Sequence, residues 1–346
     1  MTPKARPRAE KQPRRVALSA GAKADRITRR RTLGKSLPEL RVAETTERRY
    51  TLAYCRLCAF IALHFLGPIG SFWELDKVIS TYLSHIYEEG EPKSWGNDTV
   101  AGVQFYIPAA RHRLGLAWSL VKTWHRHEMP ARALPFTIEL LSGFAGALVA
   151  SSYPLLAAGA VVGFSLLLRT SELLNLTFDD VAISMAKREA VVRLRETKAG
   201  GRMGIHQSVV VRDAPTLSAL HYLCKQRKAG ERLLQCDDKT LRRLCAHCVA
   251  CLGMQSLAIR PYSMRRGGAT QLFRSCLSYD VVSDRGRWHN VATCRRYVED
   301  GAAQLASLRL SEWQEAQVKA LGALYRQFAA AHFDSSPPAG VLAALS

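Results

Sequence analysis

An apolar run from Leu140 to Leu168, which contains no charged residue, restricts the fold more than any other feature of the sequence. A run of this length can cross a bilayer as one helix. Pro154, however, divides it into 140–153 and 155–168, and each half has the length of a buried core helix. Glycine and serine residues dilute its hydrophobicity, and it ends directly at Arg169. The run therefore predicts two buried helices in a globular core, with a membrane span as the alternative.

The charge of the chain indicates the kind of partner. There are 49 lysines and arginines against 29 aspartates and glutamates, so the net charge is +20. A field of that sign attracts nucleic acid or an anionic membrane surface, and a soluble basic protein without such a partner is the alternative. Residues 1–43 combine basic runs with prolines and little apolar content, which predicts a disordered basic arm. Such an arm can lie along phosphates, serve as a nuclear address, or be an organelle transit peptide.

The remaining patterns predict two folded domains. Residues 44–133 contain several helical patterns, and a proline-containing linker at Glu128–Pro135 follows them. The second domain spans 134–335 and precedes a flexible tail at 336–346. It is helical except for three segments that alternate as strands do, Asp179–Ser184, Glu189–Thr197 and Gln207–Val211. The predicted fold class is mainly α with a small antiparallel β-sheet (α+β).

The cysteines predict core thiols rather than a metal site. Nine cysteines in a chain of this length are too few for a disulfide scaffold. Cys245, Cys248 and Cys251 lie three residues apart inside Thr240–Met254, which has a helical pattern. A zinc site usually takes close cysteine pairs from turns and needs a second pair elsewhere. The same interpretation applies to a second pair with helical spacing, Cys55 and Cys58, and neither a metal nor a cofactor is expected.

Three short motifs carry the functional signal. They are Leu167-Leu-Arg-Thr-Ser-Glu-Leu-Leu-Asn-Leu176, Ile259-Arg-Pro-Tyr-Ser-Met-Arg-Arg-Gly-Gly-Ala-Thr270 and Arg287-Trp-His-Asn-Val-Ala-Thr-Cys-Arg-Arg-Tyr297. Their order resembles that of the tyrosine recombinases (phage-integrase-type enzymes) over roughly residues 45–310. The resemblance implies a helical DNA-clamping domain followed by a catalytic domain. It also implies a site-specific DNA recombinase or integrase that cuts and rejoins DNA through a 3′-phosphotyrosyl bond, without metal or ATP.

Two arginines suit the task of holding a phosphate. The guanidinium group binds two phosphate oxygens at once and keeps its charge. The resemblance makes Arg169 and Arg265 the two phosphate clamps. It gives Glu172 a supporting role and makes Arg266 at most a helper. A surface arginine at the end of an apolar helix is the alternative for Arg169 taken alone.

Two further positions concern proton transfer. The family usually has a histidine three residues before the second arginine, where this chain has Tyr262. A phenol, with a pKa of about 10, is a poor general base at neutral pH, although it can donate a hydrogen bond to phosphate. The resemblance also places the general acid for the leaving 5′-oxygen on the turn after the second predicted strand. Lys198 matches that position, Arg202 is the second choice, and an ordinary turn lysine is the alternative.

The third motif contains the expected nucleophile, Tyr297. Tyrosine forms covalent intermediates when its phenolate is stabilised by nearby groups. Trp288 lies nine residues before Tyr297, where the family has histidine or sometimes tryptophan, and its indole N–H can donate to the phosphate. His289 competes for this role one residue out of register. A core tyrosine on an amphipathic helix is the alternative for Tyr297 considered alone.

The implied partners are double-stranded DNA and further copies of the chain. The resemblance implies a dimer on each site and a tetramer in the synapse, with Ala303–Phe333 as a candidate helix to link protomers. A nucleus is the favoured location. One alternative is a catalytically impaired DNA-binding protein derived from a mobile-element integrase, because Tyr262 replaces the usual histidine. Another is an enzyme of the type IB topoisomerase kind.

Overall fold

The computed structural model describes residues 41–128, 132–195 and 207–333. Most of the predicted basic arm and the whole predicted tail at 336–346 lie outside these ranges. The chain divides into two compact units, 1–130 and 131–346. In its described part the chain is mainly helical with a three-stranded antiparallel sheet, which confirms the predicted fold class.

The described part of the first unit consists of helices around one apolar core. Ser71 begins the second helix with a capping box: its Oγ accepts from Glu74 N at 3.2 Å, and Glu74 Oε2 accepts from Ser71 N at 3.0 Å. One expectation is wrong here, because Cys55 and Cys58 are exposed rather than core residues. The helices are α1 (Glu44–Leu63), α2 (Phe72–Glu88), α3 (Lys93–Tyr106) and α4 (Gly115–His127), with a 3-10 turn at Pro108–Ala110.

The apolar run forms two buried helices of the second unit, α5 (Ile138–Ala150) and α6 (Pro154–Ser165). Pro154 is the first residue of α6, where its missing N–H costs no hydrogen bond and its fixed φ suits a helix. Over the residues that the structure describes, no helix is long and apolar enough to span a membrane. The prediction of buried core helices is confirmed.

A small sheet and further helices share one apolar core with these two. A short helix, α7 (Thr170–Asn175), precedes β1 (Val181–Ser184), β2 (Glu189–Leu194) and β3 (Gln207–Val211). Both strand pairs are antiparallel, with Val181 opposite Val192 and Ala190 opposite Val211. The next helices are α8 (Ala214–Lys225), α9 (Asp238–Cys251), α10 (Ser263–Cys276), α11 (Tyr279–Gly286) and α12 (Val291–Arg295). On α9, Cys245 and Cys248 are buried as predicted, whereas Cys251 is exposed.

Two adjacent glycines allow α10 to approach its neighbours closely. A Cβ atom on Gly267 would lie 2.3 Å from the carbonyl oxygen of Phe136. A Cβ atom on Gly268 would lie 2.0 Å from the carbonyl oxygen of Phe164, at the end of α6. Both distances are too short for any side chain, so backbone packs directly on backbone. This contact fixes the position of Arg265, which precedes the two glycines.

The C-terminal amphipathic pattern, predicted over Ala303–Phe333, is two helices, α13 (Asp300–Leu308) and α14 (Glu312–His332). Ser311 and Gln314 form a capping box at the start of α14. The chain therefore does not continue from α13 as one helix. α14 packs on α5 of the same chain, where a Cβ atom on Gly146 would meet the Leu321 carbonyl oxygen at 1.8 Å. Three large apolar side chains of these two helices are exposed: Leu305, Leu308 and Trp313.

Candidate active site

Arg265 lies at the centre of the site and is completely buried. α10 carries its side chain between the loop after α6 and the end of α11. Its Nη2 donates to the carbonyl oxygen of Gly286 at 2.7 Å, and its Nη1 donates to that of Leu167. Its Nε is buried and has no acceptor among the described residues. The arginine therefore joins the first and third motifs and keeps one donor without a partner.

Glu172 is the carboxylate that holds the first motif together. It is 5% exposed. Its Oε2 accepts from the backbone N–H of Arg169 at 2.9 Å, and its Oε1 accepts from the guanidinium of the same residue. The role predicted for Glu172, local support of Arg169, agrees with these contacts. Arg169 itself remains partly exposed, so its guanidinium can reach a ligand.

A third arginine, Arg287, belongs to the same cluster, although sequence reasoning assigned it no role. Its Nη2 donates to Glu172 Oε2 at 2.8 Å and to the carbonyl oxygen of Leu167 at 3.0 Å. Its Nη1 donates to the carbonyl oxygen of Leu166 at 3.2 Å. The backbone of Arg287 is left-handed, with φ 59°, an uncommon conformation for a residue with a side chain. The only sequence signal is its place directly before Trp288.

The cluster carries excess positive charge. Three guanidinium groups, those of Arg169, Arg265 and Arg287, surround the single carboxylate of Glu172, and Arg265 Nη1 is 3.7 Å from Glu172 Oε2. Burial, followed by repulsion from the other two arginines, lowers the pKa of Arg265 to about 10. Burial opposes ionisation of Glu172, but the surrounding arginines hold the pKa of its carboxyl below the usual value. Among the described residues, two positive charges of this cluster are therefore uncompensated at neutral pH, which suits an anionic ligand.

The ring of Tyr297 packs against the Arg265 guanidinium group of this cluster. Its hydroxyl is hydrogen-bonded to that of Tyr262, and its ring centroid is 4.5 Å from that of Trp288. The Arg265 guanidinium carbon is 4.5 Å from the Trp288 ring centroid and 5.5 Å from that of Tyr297. Burial alone would raise the pKa of the Tyr297 phenol, but the hydrogen bond from Tyr262 and the charges of the nearby arginines lower it below its ordinary value.

Tyr262 has the opposite character. Burial, and then its hydrogen bond with Tyr297, raise the pKa of its phenol above the ordinary value. It therefore keeps its proton and acts as the donor when Tyr297 is ionised. This makes Tyr262 unsuited to accept a proton, as the sequence indicated, and suited to stabilise a phenolate.

The structure separates the two candidates in the third motif. Trp288 is 8% exposed and faces Tyr297, whereas His289 is exposed. The indole Nε1 of Trp288 is buried without an acceptor in any described segment, so it is a second donor available to a ligand. A Cβ atom on Gly286 would lie 1.8 Å from the Trp288 ring, which explains why glycine precedes Arg287.

The architecture can be compared with solved structures. No family model and no curated protein matches the sequence. A Tn1549 transposon integrase in complex with transposon right end DNA matches with a TM-score of 0.55 and 15% identity, over 84% of this chain and 98% of the other. The XerH site-specific recombinase, in a post-cleavage complex with its difH substrate, matches with a TM-score of 0.52 and 14% identity, over 75% and 79%.

A lambda integrase dimer bound to a core site matches with a TM-score of 0.50 and 14% identity, over 77% of this chain and 74% of the other. All of these are tyrosine recombinases. The chain has the tyrosine-recombinase fold. The architecture implied by the resemblance of the three motifs is therefore correct.

Within this tyrosine-recombinase fold, five of the predicted site residues come together from three separate segments: Arg169, Tyr262, Arg265, Trp288 and Tyr297. His289 does not join them. Lys198, predicted as the general acid, and Arg202, the second choice, lie outside the described residues. Gly286 and Arg287 belong to the site and were not found from the sequence.

Proposed function

We propose that this protein is a site-specific DNA recombinase that cuts and rejoins DNA through a 3′-phosphotyrosyl intermediate, with Tyr297 as the nucleophile. One observation carries the proposal: a phenol with a lowered pKa lies over a buried arginine cluster whose remaining donors have no acceptor. An arginine cluster alone would suit any anion. The addition of an activated tyrosine distinguishes covalent transfer from simple binding.

In the proposed reaction Tyr297 first loses its proton to water. Its oxygen then attacks a DNA phosphorus, a tyrosyl–phosphorus bond forms, and the bond to the 5′-oxygen breaks. That oxygen takes a proton from Lys198 and leaves as a 5′-hydroxyl. Attack by a second 5′-hydroxyl reverses these steps and releases Tyr297, so one phosphodiester bond replaces another and no external energy source is required.

Charge on the phosphate is stabilised by fixed donors. Arg169 contributes its partly exposed guanidinium, while Arg265 Nε and Trp288 Nε1 contribute the two buried donors without partners. Donors fixed in advance typically contribute about 3 kcal/mol each to such a transition state. In the free chain the rings of Tyr297 and Trp288 cover Arg265. The phosphate takes this place as Tyr297 turns outward to attack.

Double-stranded DNA is the proposed partner, bound by a homo-oligomer. The net charge of +20 provides the long-range attraction to a polyanion. The similar structures were solved with DNA, one of them as a dimer on a core site. By this analogy we propose that two copies occupy each site and four form the synapse, with the helical first unit clamping the duplex. Of the segment Ala303–Phe333, we propose that α13 and the loop before α14 link one protomer to the next, because α14 packs on α5 of its own chain.

Covalent trapping tests the proposal. The full chain is incubated, without added metal, with a random-sequence library of nicked suicide duplexes, which lose the leaving strand and so accumulate the intermediate. We expect a protein–DNA adduct that survives denaturation and disappears with Tyr297→Phe but not with Tyr153→Phe, a partly exposed tyrosine of the same unit. An adduct that persists with Tyr297→Phe would show that the nucleophile is a different residue.

A catalytically impaired DNA-binding protein is the second candidate, and the phenol of Tyr262 at the usual histidine position favours it. Salt-sensitive DNA binding without any adduct would support this candidate. Relaxation of supercoiled plasmid without exchange between duplexes would instead support an enzyme of the type IB topoisomerase kind.

A further inference from the structure

A second cluster of arginines lies beside the candidate active site. It surrounds a cavity of about 380 Å³, within the range of ligand-binding pockets. Tyr262 forms part of the wall, so one side chain borders both the cavity and the site. The arginines that line the cavity are Arg132, Arg242, Arg260 and Arg266.

These arginines are only partly neutralised. Glu299 pairs with both Arg132, at 2.7 Å, and Arg266, and Asp238 pairs with Arg242 at 2.7 Å. Over the described residues, no ion pair forms at Arg260. Four guanidinium groups against two carboxylates leave two positive charges around one cavity. This imbalance favours an anion in the cavity.

A buried donor in the cavity wall also lacks an acceptor. Arg266 is only 6% exposed, and its Nε has no hydrogen-bond partner in the described part of the chain. A buried donor without an acceptor costs roughly 1–3 kcal/mol, so such groups usually serve a bound ligand or water. This observation is independent of the charge balance and indicates the same kind of ligand, one with acceptor oxygens.

The position of the cavity indicates which anion. Arg266 directly follows Arg265, and Thr170, also in the wall, directly follows Arg169. The two proposed phosphate clamps therefore adjoin the cavity through their next residues, whose Cα atoms are about 3.8 Å away. Tyr262, which is hydrogen-bonded to Tyr297, also lines the cavity, so the cavity adjoins the place proposed for the scissile phosphate. The anion that a bound strand carries next to that phosphate is the neighbouring phosphodiester of the same strand.

We propose that this cavity binds the phosphodiester next to the scissile one, on the same strand, and so fixes which phosphate faces Tyr297. The inference rests on the proposed function for the identity of the scissile phosphate. Arg260 supplies the unpaired charge, and Arg266 supplies the buried donor. Arg132 and Arg242 add further positive charge to the cavity wall.

The salt dependence of DNA binding tests the cavity without knowledge of the target sequence. Each phosphate neutralised by the protein contributes about 0.9 to the slope of log K against log salt. With the full chain and a fixed random-sequence duplex, we expect Arg260→Gln to reduce this slope by about 0.9. Arg243→Gln is the matched control, because Arg243 is exposed on α9 next to Arg242 but does not line the cavity. It should leave the slope unchanged.

A sharper test uses the duplex recovered by covalent trapping. A neutral methylphosphonate replaces, one at a time, each phosphate adjoining the cleavage position. One replacement should weaken binding to the wild type, and the same replacement should cause no further loss in Arg260→Gln. Equal responses of the wild type and Arg260→Gln at every position would overturn the proposal.

The outcomes separate this proposal from the proposed function. A wild-type adduct together with equal salt slopes for Arg260→Gln and Arg243→Gln would refute the cavity and leave the recombinase standing. Absence of any adduct, together with a slope reduced only in Arg260→Gln, would support a phosphate-binding cavity in a protein that does not cleave DNA.

Discussion

Replacement of Glu172 by glutamine is the most direct test of the arginine cluster. Glutamine keeps the size of the side chain and one carbonyl acceptor but removes the carboxylate that, in the described part of the chain, pairs with all three guanidinium groups. Removal of one partner from a buried ion pair typically costs 3–5 kcal/mol, because it leaves charge buried without compensation. Here the remaining charges also repel one another. We therefore expect the free energy of unfolding of the second unit to fall by at least about 3 kcal/mol.

Urea denaturation measures this loss, and hydrogen exchange of the amides in α6 assigns it to the second unit. With an m-value of about 2 kcal/mol per molar, a loss of 3 kcal/mol lowers the midpoint by about 1.5 M. Glu189→Gln is the control, since Glu189 pairs with Arg212 at 2.8 Å on the surface. Such exposed pairs contribute less than about 1 kcal/mol. If Glu172→Gln loses no more stability than Glu189→Gln, the cluster is not held by this carboxylate.

The pH dependence of this loss follows from the direction of the pKa shift. The pKa of Glu172 is lower in the folded chain than in the unfolded chain, where it is about 4.3. A carboxyl with a depressed folded pKa stabilises the fold fully above its unfolded pKa, and this contribution disappears as the pH falls through the folded value. The stability difference between wild type and Glu172→Gln should therefore be full at pH 7 and shrink below about pH 4.

Three further substitutions test the site and its support. Tyr262→Phe removes the donor that lowers the pKa of Tyr297, so adduct formation measured across pH should reach half its maximum at a higher pH than in the wild type. Trp288→Phe keeps the ring but loses the indole N–H, and single-turnover trapping should slow by about 100-fold. Gly268→Ala places a Cβ atom 2.0 Å from the Phe164 carbonyl oxygen, which should cost about 1–3 kcal/mol of stability in urea denaturation.

Each of these substitutions has a matched control. Tyr153→Phe should leave the pH profile unchanged, and an identical profile for Tyr262→Phe would show that this phenol does not act on Tyr297. His289→Gln should change the trapping rate by less than a few fold, and a loss as large as that of Trp288→Phe would return the role to His289. Gly301→Ala lies on α13 with open space around its Cβ atom, so a stability loss equal to that of Gly268→Ala would contradict the packing argument.

Local patterns predicted most of the helices and the three strands of the antiparallel sheet. The division at Pro154 depends on the conformational restriction of proline, and the start of α2 depends on a capping box, so both could be predicted from neighbouring residues. The break between α13 and α14 also had a local signal in Ser311 and Gln314, but the longer amphipathic pattern obscured it. The exposure of Cys55 was not predictable, since helical spacing alone does not specify which face is buried.

The site was only partly predictable because its electrostatics depend on distant segments. Arg287 contacts Glu172, which lies far from it in sequence, through a left-handed backbone that no residue pattern indicates. Position 286 requires glycine because the Trp288 ring folds back over it. A Cβ atom at this position would lie 1.8 Å from the ring. The motifs identified which side chains matter. Their packing determined which donors remain free for a ligand.

The complete burial of Arg265 has a consequence for a protein that meets many polyanions. A net charge of +20 attracts phosphate-rich molecules whatever their sequence. With Arg265 beneath the rings of Trp288 and Tyr297, the most deeply buried guanidinium group of the proposed site is not presented to passing strands. Under the proposed function, a strand must displace these rings before its phosphate can reach Arg265, and that displacement favours strands that the rest of the protein holds for long enough. We therefore expect the free energy needed to uncover Arg265 to contribute to the discrimination between DNA sequences.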